Sequence, residues 1–111
     1  MNQVPFEQLT YARFSALVKT HFQVQADAAN RIELELTEVR RYQPRMGATP
    51  ESAALKNECF SLTFNGPASR YLEQKMYDFE HDELGTFSLF VVPIGKTQEA
   101  FQYEVVFNRL G

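Results

Sequence analysis

The stretch RIELELTEV, residues 31–39, alternates strictly: Ile32, Leu34 and Leu36 against Glu33, Glu35 and Thr37. A period of two is the mark of a strand with one buried face and one wet face. The same period returns four more times along the chain. Phe22 and Val24 alternate with Gln23 and Gln25, and Phe60, Leu62 and Phe64 with Ser61 and Thr63. Tyr77 and Phe79 share one phase in MYDFEH, and Phe101, Tyr103, Val105 and Phe107 share one phase in FQYEVVF. A further segment, TFSLFVVPI, sets Phe87, Leu89 and Val91 one way and Phe90 and Val92 the other. Apolar on both sides, it reads as a strand covered on both faces, ended by Pro93, which cannot donate to a ladder.

Most of these segments are joined by short links. Parallel pairing needs long crossovers, so the sheet is expected to be antiparallel. Six strands of this length are expected to curl into a barrel or fold into two layers, which removes exposed edges. A short N-terminal helix precedes them. Thr10 is placed to cap it, and Tyr11, Phe14, Leu17 and Val18 recur at helical spacing, which predicts a helix over about residues 10–19. The fold class expected is therefore α+β: one short helix, then about six antiparallel strands, in a single domain over residues 1–111. ADAAN reads as a turn, and the phase slip between Glu38 and Val39 as a bulge or strand end. Asn65-Gly66-Pro67 reads as the stop of its strand. Residues 43–57, with two prolines and one glycine and no strand period, read as a long surface loop.

The formal net charge is −3, and the only local basic cluster is Arg40, Arg41 and Arg45, so nucleic acid is not the expected partner. Cys59 is the sole cysteine, which rules out an internal disulfide and any cysteine-based zinc site. No apolar run approaches a bilayer span, and the N-terminus has no basic start leading into an apolar core. A cytoplasmic protein, with no membrane association and no cofactor, is the expectation.

EHDELG, residues 80–85, packs four titratable side chains into six residues. Two readings compete there. One is a hairpin turn, with Gly85 free to take a positive φ and Asp82 bonding its own downstream backbone. The other is a metal or acid–base site. Adjacent strand residues point to opposite faces, so Glu80 and His81 do not readily share an ion, and the turn is preferred. Glu33, Glu35 and Glu38 read as solvated charges on a wet face rather than paired catalytic carboxylates. Cys59, in the phase opposite Phe60 and with no base beside it in sequence, reads as a structural thiol. No phosphate loop, GxSxG or HExxH motif occurs. No catalytic or metal-binding residue is therefore assigned, and the binding candidates are His81, Glu83, Tyr77 and Tyr103.

TYARFSALVKTHF, FSLTFNGP, EHDELGTFSLFVVPIG and YEVVFN, in that order, resemble the pattern of a family of small bacterial domains of unknown function, over about residues 9–108. The family pattern has a helix ending before T-x-F, then F-S-L-x-F-x-G-P, E-H-x-E-L-G, V-P-x-G and Y-x-x-x-F-N. This chain departs from it at Lys19, where the pattern has glycine, and at Asp82, where proline is common. The resemblance implies no activity. It does imply a setting beside phage tail-collar or tail-fibre proteins, and hence an accessory or assembly role. Two classes of function follow. One is a non-enzymatic module that binds another protein or a second copy of itself; the other is a barrel that holds a small ligand or acts as an enzyme, using His81, Glu83, Tyr77 or Tyr103.

Overall fold

A computed structural model describes residues 8–41 and 58–109. Among them, α1 spans Tyr11–Ser15, and six strands follow: β1 His21–Gln25, β2 Arg31–Arg41, β3 Glu58–Pro67, β4 Lys75–His81, β5 Gly85–Lys96 and β6 Ala100–Arg109. Every pairing is antiparallel, and the order β1-β2-β3-β6-β5-β4 closes on itself as a barrel. The barrel alternative is the correct one and the two-layer sheet is not. The α+β class overstates the helix, which has five residues, so the protein is a β-barrel with one helical turn at its end.

The helix is short because its last carbonyls are taken by tighter turns. Thr10 caps its start as expected, accepting from the Arg13 N–H at 3.2 Å. The Leu17 N–H then bonds the Phe14 carbonyl at 2.9 Å, and both the Thr20 N–H and the Thr20 hydroxyl bond the Leu17 carbonyl. Lys19 sits between them with φ 75°, in the left-handed region that suits glycine. Its N–H donates to the Leu36 carbonyl at 2.6 Å, and the Leu36 N–H donates to Thr20 at 3.0 Å, so the helix runs straight into the β1–β2 ladder. The ADAAN segment is the turn of that hairpin. Asp27 Oδ1 accepts from the Ala29 and Asn30 N–H groups, and these bonds, with the Asn30 amide foremost, hold its carboxyl below the usual range.

Three strand expectations change. The bulge in β2 lies between Leu36 and Glu38, one residue earlier than the phase slip placed it, and Thr37 there donates to the Thr63 carbonyl at 3.1 Å. β3 does not stop at Asn65 but runs through Gly66 and Pro67, which pair with Phe101 and Ala100. Gly66 is there for space: a Cβ would lie 2.6 Å from Leu34 Cδ2 and 3.1 Å from Tyr103 Cε2. Pro93 does not end β5 either. A bulge between Pro93 and Gly95 breaks the ladder beside it, where a missing donor is tolerated, and pairing resumes to Lys96. The segment expected as a loop, 43–57, lies outside the described residues.

Aromatic rings fill much of the barrel interior, beside Leu, Ile and Val side chains. Phe22, Phe60, Phe64, Phe79, Phe87, Phe107 and Tyr103 are all buried, each from the inward phase of its strand. Phe60 and Phe107 stack at 4.5 Å with planes 8° apart. Phe14 closes one end from the helix. Its ring lies 5.5 Å from Phe107, 6.1 Å from Phe60 and Phe87, and 6.2 Å from Phe22. Among the described residues, no helix is long and apolar enough to cross a membrane.

Candidate functional site

The four side chains singled out from sequence do not converge. Tyr77 and His81 both point inward on β4, but they are four residues apart, about 13 Å along a strand. Tyr77 and Tyr103 tie down the link into β4. The Tyr77 hydroxyl donates to the Glu73 carbonyl at 2.7 Å, and the Tyr103 oxygen accepts from the Leu72 N–H at 2.9 Å. Burial pushes both phenols above the usual tyrosine range, so they stay protonated.

His81 and Glu83 sit at the other end, in the EHDELG turn. β4 ends at His81, β5 begins at Gly85, and Gly85 has φ 99°. The His81 ring is 6% exposed and packs on Phe22 at 4.3 Å between centroids. Its Nδ1 accepts from the Glu83 N–H at 3.0 Å, a turn bond expected of Asp82 and made instead by the imidazole. Its Nε2 lies 2.9 Å from the Thr20 hydroxyl, which itself donates to Leu17 at 2.6 Å. That chain assigns the proton to Nε2 and makes the ring a neutral tie between the β4–β5 turn and the strap leaving α1. Burial holds its pKa below the ordinary value, while the charges of Glu83 and Asp82 act the other way. Glu83 joins this tie through its backbone N–H.

The remaining candidates also separate. Arg41 lies over the Tyr11 ring, 4.7 Å from its centroid, and Arg40 pairs with Glu38 at 3.2 Å on the surface. Arg45 is outside the described residues. Cys59 is buried in β3. Among the described residues, no group of three or more histidine, cysteine or carboxylate side chains is placed to hold a metal ion.

Two features lie on the barrel's outer wall. The first is an open groove of about 330 Å³ over the seam where β1 meets β4, lined by Gln23, Gln25, Arg31, Asp78, Glu80 and Ser88 among others. The seam itself is short, pairing only Gln23–Gln25 with Asp78–Glu80. The Arg31–Glu80 pair at 3.1 Å crosses it, and on the β2 side Arg31 donates from Nε to Gln25 at 3.1 Å and Gln23 donates to Glu33 at 3.0 Å. A wider depression continues from it toward His21, Asp82 and Glu83.

The second feature is apolar. Met76 and Phe90 are direct cross-strand partners on β4 and β5, and they are 56% and 45% exposed. Ile94, thrown outward at the β5 bulge, and Val106 on β6 are each about half exposed. The expectation that β5 is covered on both faces therefore fails within one chain. In the sequence, Phe90 and Val92 share the phase opposite Phe87, Leu89 and Val91, and Met76 the phase opposite Tyr77 and Phe79, but alternation alone does not say which face of β5 is covered.

Neither a curated protein nor a solved structure matches the chain. A family profile does, over residues 9–107, and on that match the chain belongs to DUF6916, a domain of unknown function.

Proposed function

We propose that this domain is a non-enzymatic protein-interaction or assembly module, and that it docks through the outward face of β4 and β5. The Met76–Phe90 pair carries the reading. Two large apolar side chains stand opposite each other on the outside of a barrel whose interior is already filled. Contiguous exposed apolar surface on a small domain is favoured where something covers it. Ile94 and Val106 make such surface available on β5 and β6 as well. An accessory role in a phage-tail-like assembly is the setting the family resemblance suggests.

The alternative, a barrel that binds a small ligand or catalyses through His81, Glu83, Tyr77 or Tyr103, draws less support. The imidazole and both phenols already bond the fold, and they lie at two different ends.

The test is an affinity pull-down from lysate of the native host, read by mass spectrometry, with Met76→Thr/Phe90→Thr run beside wild type. Threonine keeps strand preference while removing the apolar area. The reading expects one protein recovered near stoichiometry by wild type and lost to the double variant. Equal recovery by both, or nothing above control from folded protein, contradicts it.

A further inference from the structure

The docking face changes character along its length. On β4 the outward residues run Met76, Asp78, Glu80; opposite them on β5 run Phe90, Ser88, Thr86. One strand repeat, about 7 Å, separates an apolar row from an acidic groove. Glu33, Glu80, Asp82 and Glu83 line the depression that continues this groove, and among the described residues that line it Arg31 is the one lysine or arginine. That guanidinium is already engaged by Glu80 and Gln25. Among the described residues, Glu33 accepts from the Gln23 amide and Asp78 from the Ser88 hydroxyl, both neutral donors, so those contacts do not neutralise their charge.

We infer that the segment docked on this face is apolar at one end and cationic at the other, with a large apolar residue on Met76 and Phe90 and a lysine or arginine directed toward Asp78 and Glu33. The inference rests on the interaction-module reading and names the chemistry of its partner. The two halves of the face have different jobs. Desolvation of the apolar row supplies most of the affinity, because exposed ion pairs contribute little. The acidic half sets direction: a segment laid the other way places its cation on Met76 and Phe90 and leaves the carboxylates uncompensated. From Met76 it is about 7 Å to Asp78 and about 13 Å to the Glu80 row, where Glu33 lies across Gln23, so apolar and basic residues are expected about two to four positions apart in an extended partner and about five to nine apart in a helical one.

A display library of random peptides, selected on the immobilised full chain, tests this. The most enriched peptide is then synthesised and its affinity measured against wild type, Met76→Thr/Phe90→Thr, Glu33→Gln and Asp78→Asn, each checked for an unchanged melting temperature. The inference expects enriched peptides to carry lysine or arginine in excess over the starting library, at the spacings given. It expects binding to fall at least about tenfold in the double variant, and about two- to fivefold in each carboxylate variant, with a comparable loss on raising salt from about 0.05 to about 0.5 M. Peptides that need Met76 and Phe90 but show no basic excess and no salt dependence overturn the cationic partner and leave the docking face standing. No enrichment, or binding indifferent to Met76 and Phe90, overturns both. A self-associated protein that the double variant makes monomeric in sedimentation overturns the segment in favour of a second copy.

Discussion

Lys19 holds a left-handed backbone, φ 75°, and a residue with a Cβ gives up about 1 kcal/mol there relative to glycine. Lys19→Gly is therefore expected to stabilise the protein by up to about 1 kcal/mol in chemical denaturation, although glycine loosens the unfolded chain; a loss of stability contradicts this account of the turn. His81 makes a second prediction at the same scale. An unfolded imidazole titrates near about 6.5, and the folded one lower, because charging it would desolvate the charge and place a proton on the nitrogen that accepts from Glu83. Above that pH both states are neutral and the contribution is complete. As pH falls below it, the unfolded chain takes up a proton that the folded chain refuses, and stability drops with a slope of at most about 1.4 kcal/mol per pH unit until the folded ring also protonates. Thermal unfolding from about pH 7 to about pH 5.5 should show this slope in wild type and lose it in His81→Gln. The inward phase of His81 was legible, since it follows Tyr77 and Phe79 at a spacing of two. Its partner Thr20 was not, because the two are 61 residues apart and only barrel closure brings them together.

At the scale of elements, the helix matters for one ring. Phe14 touches rings from β1, β3, β5 and β6, so it stoppers the barrel from a helix of five residues that would be marginal alone. Phe14→Ala should cost about 3–5 kcal/mol, read as a lowered denaturation midpoint; a loss under about 1 kcal/mol would mean the end is not closed by this ring. Five strands were legible because a period of two survives in them, and β5 because its run is apolar on both faces and bounded by turn residues. Their ends were not. Gly66 and Pro93 look like punctuation in one dimension; in three, the first makes room for Leu34 and Tyr103 and the second sits beside a bulge. The helix end was misplaced for a similar reason. Tyr11, Phe14, Leu17 and Val18 keep helical spacing past Ser15, but Leu17 is buried from a turn, not from a helix.

For the whole molecule, an apolar interior holds the barrel together, and a docking role for the Met76–Phe90 row requires that the row be dispensable to folding. Sequence alternation identified both faces of β5 as apolar but could not say which one the chain itself covers, since that depends on how six strands close. The polar groove was less legible still, being assembled from β1, β2, β4 and β5. Denaturant unfolding of Met76→Thr/Phe90→Thr against wild type tests the claim most directly. The account predicts a difference within about 1 kcal/mol, since half-exposed side chains away from the core contribute little. A loss of more than about 3 kcal/mol, the scale of emptying a core site, would show that the row is packed into the fold and is not a docking face.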